Sequence, residues 1–213
     1  MEISVSPTHG AQEDSIWNGP FGCTCYPPNF IFNQFGMLDA RTLRPENVHS
    51  CEGWKALLEP VIARYAKWPI MPFFRADAAY ANPELYETVE GAGNFYAIHL
   101  RANNILRQQI DHVLRRPVGR PLQSKIKRFF AGFECWASLW QEARRVIAKV
   151  EWHSRDLIPG VGFVVAKMAM DADWVVCFSN FRGTADLAIK EGKHAINWTC
   201  LSCKRPVDTE VWL

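Results

Sequence analysis

Arg182, Asp186 and Lys193 are spaced so that on a helix they fall at about 0°, 40° and 20° around the axis. They form one stripe with a carboxylate between two cations. Ser179 would join them at about 60° if the helix reached back that far, whereas Glu191 faces away at about 180°. The bland account of such a stripe is a solvated face with an i,i+4 ion pair, worth about 0.3–0.5 kcal/mol. Asp77 adds a second acid of a different kind. It closes the apolar run Ile70-Met-Pro-Phe-Phe-Arg-Ala76 and precedes a helix start, and α/β proteins build their sites at the carboxyl ends of sheet strands. Taken alone, Asp77 serves equally well as a helix cap. Carboxylates gathered from strands and a helix could hold divalent cations, which accept hard oxygen ligands. Two such ions about 3.5–4 Å apart would clamp the attacking and leaving oxygens of a phosphoryl transfer.

A second chemical feature is the run Arg115 to Arg128, RRPVGRPLQSKIKR, with six basic residues (Arg115, Arg116, Arg120, Lys125, Lys127, Arg128) and no acid. The net charge of +2 over the whole chain therefore conceals a +6 segment. A solvated loop would account for it, but six charges this close could also neutralise several phosphates and give salt-sensitive, sequence-independent affinity for nucleic acid. The seven cysteines are an odd number in a chain with no visible secretory signal, which fits reduced thiols. Cys23/Cys25 and Cys200/Cys203 could supply zinc ligands. The first pair is one residue too close, however, and no His stands at ligand spacing beside either; buried free thiols are the simpler reading.

The elements that must position these groups alternate. Residues 21–43 read as a short-strand meander turning at Gly36. Glu52 to Ala66 has helical period despite Pro60, and 70–76 reads as a short buried strand. Asn82-Pro83 starts a helix that Gly91 and Gly93 end. Tyr96 to Leu100 is a strand, and Ile105 to Leu114 an amphipathic helix. Three β-rich segments follow at 129–136, 144–152 and 161–168, and a helix from Arg182 through Ile196. No fixed repeat is present. Strand–helix alternation predicts an α/β core, organised as a first part at 1–114, a basic β-rich insertion at 115–175 and a last helix with a trailing segment at 176–213. Hydrophobic residues at 48% exclude a disordered chain. The longest uncharged stretch, 15–38, carries three Pro and three Gly, a composition unlike a membrane span. The expectation is a soluble, cytoplasmic protein.

Several blocks together resemble a known family. Ser179-Asn-Phe-Arg182-Gly-Thr-Ala-Asp186, continued to Lys193, is similar to the signature of bacterial insertion-sequence transposases of the DDE type: Tyr, Arg, Glu and Lys separated by two, three and six residues. Phe74-Arg-Ala-Asp77-Ala-Ala-Tyr resembles that family's second-acid motif. Val5-Ser-Pro-Thr-His-Gly resembles the segment after its first acid, and 18–25, 43–49 and 116–121 also look familial. The resemblance implies a ribonuclease H-like mixed-sheet core with a β-rich insertion, and cleavage and joining of double-stranded DNA at mobile-element ends with Mg²⁺ or Mn²⁺. It implies that Glu2, Asp77 and Asp186 hold the metal, that Arg182 and Lys193 steer the DNA backbone, and that self-association is possible. Glu2 stands where the family has Asp, Asp186 where it has Glu, and Ser179 where it has Tyr. Exchanging Asp and Glu moves a carboxylate by roughly 1.5 Å, and a misplacement near 1 Å can cost about a hundredfold in rate. Members of the family are longer than this chain, so the resemblance implies a truncated copy of weak or absent activity. The rival reading is a non-catalytic DNA-binding remnant that competes with full-length transposase.

Overall fold

A computed structural model describes residues 1–8, 12–13, 15–19, 22–43, 52–116, 126–154, 156–181, 183–195, 203, 205 and 208. The chain divides into two units, one built from 1–70 and 182–213 and the other from 71–181.

The first unit begins with β1 (Glu2–Ile3), β2 (Ser6–Pro7), β3 (Ile16–Asn18), β4 (Cys23–Tyr26), β5 (Asn29–Phe32), β6 (Leu38–Thr42) and α1 (Trp54–Tyr65). Its strands make two three-stranded sheets, β1-β5-β6 and β2-β4-β3. Their registers belong to one ladder. Glu2 pairs with Phe30, Ile3 with Asn29, Ser6 with Tyr26 and Pro7 with Cys25, so every partner lies where a single antiparallel ribbon would put it. The Ser4 amide donates to the Pro28 carbonyl at 3.0 Å and the Thr8 amide to the Thr24 carbonyl at 2.9 Å, in the same register. The ribbon is interrupted only at Pro27-Pro28, where Pro28 has no N–H to return to Ser4. On the far side of β6, the α1 residue Tyr65 donates its hydroxyl to Asp39 at 2.7 Å, beside Arg64 at 3.5 Å from the same carboxylate. Pro60 sits inside α1 without ending it.

The second unit runs β7 (Phe73–Ala76), a 3₁₀ turn (Ala78–Tyr80), α2 (Pro83–Gly91), β8 (Phe95–Leu100), α3 (Asn104–Gln109), α4 (Asp111–Leu114), β9 (Lys127–Cys135), β10 (Arg144–Trp152), β11 (Gly160–Ala166) and α5 (Ala172–Asn180). The chain then returns to the first unit as α6 (Gly183–Ala195). The second unit holds one mixed sheet of order β7-β8-β11-β10-β9, in which β7 and β8 are parallel and the other pairs antiparallel. The β-rich stretch is thus hydrogen-bonded into the same sheet as β7 and β8. Alternation along the strands sends side chains to two helical layers. Ala97, Ile147, Val164 and Ala166 pack on Val175 and Val176 of α5. On the opposite face Tyr96 stacks on Tyr86 of α2 with centroids 5.4 Å apart.

That α2 face is held by a buried ion pair. Arg144, 6% exposed, forms two hydrogen bonds of 3.1 Å to Glu90 and lies over the rings of Tyr86 and Trp140. The Tyr96 hydroxyl donates to the same carboxylate at 2.7 Å. Burial would raise the Glu90 carboxyl, but the bonds from Arg144 and Tyr96 overcome it and hold it below its ordinary 4.5.

The elements differ from the sequence reading where local signals compete. The 70–76 strand is confined to Phe73–Ala76, with Ile70 and Met71 exposed, because Pro72 cannot donate to a ladder. The helix expected over 105–114 is broken at Ile110 into α3 and α4. Residues 172–180 form a helix of their own, so Ser179 belongs to α5 and not to the helix that carries Asp186. The Asn82 cap is present, accepting from the Glu84 amide at 3.0 Å.

A depressed carboxyl stabilises the folded state above its unfolded value and stops doing so as pH falls through its folded value. Urea unfolding is therefore expected to show a loss of stability below pH 4.5 that Glu90→Gln flattens. At pH 7 that variant should lose about 3–5 kcal/mol, because Arg144 is left buried without a counter-charge.

Candidate functional site

Glu2 lies on β1, a sheet edge among the described residues, and is 4% exposed. Its register partner Phe30 shares its face of the sheet. Phe30 packs with Tyr26 and with Ile189 of α6. Ile189 and Lys193 follow Asp186 at three and seven residues, so all three occupy one stripe of α6. The same contact that docks the helix thus brings the Glu2 and Asp186 elements together. Asp186 is exposed in the first turn of α6, where the helix dipole favours a carboxylate. The Lys193 ammonium is half-buried and donates to the Val5 carbonyl at 2.8 Å. Burial lowers its pKa below the ordinary lysine value.

Asp77 belongs to the second unit, at the carboxyl end of β7. Its Oδ1 accepts from the Ala78 amide at 2.7 Å, which caps the 3₁₀ turn. The cap role is therefore realised. The parallel register ends with Ala76 aligned with Ile98, and Asp77 and His99 each follow by one residue. Sequence reasoning missed His99. It sits on the α5 face, alternating with Phe95 and Ala97, and its Nε2 lies 3.0 Å from the hydroxyl of Ser179, which is 1% exposed. Arg75 secures the same turn of α5, donating to the Phe178 carbonyl at 3.0 Å with its guanidinium over the Phe178 ring. The available signal was the strand parity that puts Phe73, Arg75 and Asp77 on one face.

The remaining residues of interest are dispersed. Arg115 and Arg116 are exposed after α4, with Arg115 4.0 Å from Asp111. Lys127 and Arg128 are exposed at the start of β9, and Arg128 pairs with Glu151 at 2.8 Å. Arg120, Lys125 and Arg182 lie outside the described residues. Among the described residues no group of three or more His, Cys, Asp or Glu side chains could hold a metal ion. Among the described residues Cys23, Cys135 and Cys177 are free thiols, and Cys200 lies outside the described residues. No helix among the described residues is long and apolar enough to cross a membrane.

A mixed α/β protein with acids at a strand end, on an edge strand and in a helical first turn is compatible with phosphoryl-transfer chemistry. The family model for the transposase DDE domain, group 1, matches residues 1–213, and the chain belongs to that family. A search of curated proteins gave no match.

Ile189 is the apolar anchor that fixes α6, and it is 6% exposed. Ile189→Ala should cost about 2–5 kcal/mol, read as a loss of stability in denaturant and faster hydrogen exchange along α6.

Proposed function

We propose that the chain catalyses metal-dependent cleavage and joining of DNA at the ends of a mobile element of the bacterial insertion-sequence type. The match to the transposase DDE domain family over residues 1–213 carries this reading. The position of Asp77 at the end of a parallel strand supports it, as does the docking of α6 on the register partner of Glu2. In this reading residues 1–114 and 176–213 belong to a ribonuclease H-like core, and the β-rich stretch 115–175 is its insertion.

Glu2, Asp77 and Asp186 would hold Mg²⁺ or Mn²⁺. Their donor set is carboxylate oxygen alone, which suits a hard cation. The bound ions would neutralise charge on the scissile phosphate. The protein's part is to orient. Arg182 is suited to bidentate phosphate contact, and the basic segment Arg115, Arg116, Arg120, Lys125, Lys127 and Arg128 would follow the backbone of duplex DNA. The resemblance also gives Lys193 a backbone contact. Water and then a 3′-hydroxyl attack phosphorus in line, and positioning supplies most of the rate. Self-association at paired element ends belongs to the same reading.

The unusual carboxylate lengths at two positions would slow the reaction. A radiolabelled duplex carrying an element end should be nicked in Mg²⁺ or Mn²⁺, and Asp77→Ala should abolish nicking. The double replacement Glu2→Asp with Asp186→Glu should raise the rate by up to about a hundredfold. Nicking unaffected by Asp77→Ala would refute the assignment.

The exposed cations Arg115, Arg116, Lys127 and Arg128 serve equally well a second reading, a DNA-binding chain that competes with intact transposase. It requires that duplex affinity survive both chelation and Asp77→Ala while nicking is absent throughout. In either reading, affinity should fall steeply between about 50 and 200 mM salt, each lost phosphate contact lowering the log–log slope by about 0.9.

A further inference from the structure

We infer that Lys193 is a positioning residue, one that holds the strand carrying Glu2 against the helix carrying Asp186. The inference rests on the metal-holding role proposed for those two acids, and gives Lys193 a task other than contact with DNA.

The reason lies in the interrupted ribbon. Ser4 and Thr8 are its hydrogen-bonded positions, facing Pro28 and Thr24. Antiparallel ladders alternate hydrogen-bonded and non-hydrogen-bonded pairs, so Val5, opposite Pro27, directs its own carbonyl away from the ladder and across the open edge. A strand edge with an outward carbonyl needs a donor when it is covered. Lys193 supplies one at 2.8 Å across 188 residues of sequence. Its ammonium is half-buried rather than extended into solvent, and a partly desolvated cation needs such a partner. One turn earlier, Ile189 packs on Phe30, the partner of Glu2. One turn earlier again comes Asp186. Lys193 and Ile189 are therefore two fastenings of one helix face, a polar one on the link after Glu2 and an apolar one behind it. Without the polar fastening, α6 could rotate about the Ile189 contact and carry Asp186 with it.

Positioning and phosphate contact predict different measurements on the full chain. Replacing a residue that orients metal ligands typically lowers metal affinity by about 10–100-fold. Lys193→Met should weaken Mn²⁺ binding, read by electron paramagnetic resonance, by at least about tenfold. It should slow single-turnover cleavage by about a hundredfold. The salt slope of duplex binding should be unchanged, and Lys193→Arg, which keeps an N–H donor, should restore most of the loss. Lys193→Leu, which also lacks a donor, takes its place if Lys193→Met does not fold. A slope lowered by about 0.9 with Mn²⁺ affinity intact would make Lys193 a phosphate contact and overturn the inference. If instead Asp186→Asn leaves Mn²⁺ affinity unchanged, the metal-holding reading itself fails. Hydrogen exchange at the Ser4 amide then decides the fastening alone: faster exchange in Lys193→Met upholds it, and unchanged exchange refutes it.

Discussion

Pro27 and Pro28 cannot donate hydrogen bonds, and much of the first unit is arranged around that fact. The ribbon formed by Glu2–Thr8 and Thr24–Phe30 keeps one register from end to end, yet it divides into two sheets where the prolines fall. At that division two chain segments must be covered by something other than another strand. Helix α6 does so, with Ile189 against Tyr26 and Phe30 from both sides of the break and Lys193 on Val5. The strand that carries Glu2 and the helix that carries Asp186 meet through these two contacts.

The second unit solves a different problem, how to place a polar group among apolar layers. Its sheet is sandwiched by α2 and α5, and Arg144 enters the α2 layer only because Glu90, Tyr96 and two aromatic rings meet it there. His99 and Ser179 meet on the α5 side, where a buried hydroxyl faces a ring nitrogen, and Asp77 caps the turn that follows β7. Two polar clusters, Arg144–Glu90–Tyr96 and His99–Ser179, are thus kept on opposite faces of one sheet.

Much of this was legible in the sequence because the signals were local. The period of α1, the Asn82 cap and the alternation in β10 each depend on neighbours within a few residues, and these elements formed where expected. The apolar run 174–178 fits a buried strand or a helix equally well by pattern alone, and it forms α5. The break at Ile110 and the shortened β7 came from competition between period and termination that composition does not rank. For the candidate site, the types and spacing of Asp77, Asp186 and Lys193 could be read directly. The partners of Lys193 and Ser179 could not, because those contacts span 188 and 80 residues and depend on strand parity once the sheets exist.

The order of elements along the chain also has a consequence for how the molecule forms. The second unit is one continuous segment, whereas the first is closed by a helix made more than a hundred residues after its last strand. During synthesis at about 5–20 residues per second, the Glu2 ribbon waits roughly eight to thirty-three seconds for the helix that seals its edge. Over that interval an open strand edge and the Tyr26–Phe30 surface are available to wrong partners, including another nascent copy. The second unit can fold meanwhile, and once folded it shortens the flexible loop that α6 must close. Assembly of the candidate site is therefore a late event, timed by the arrival of Ile189 and Lys193.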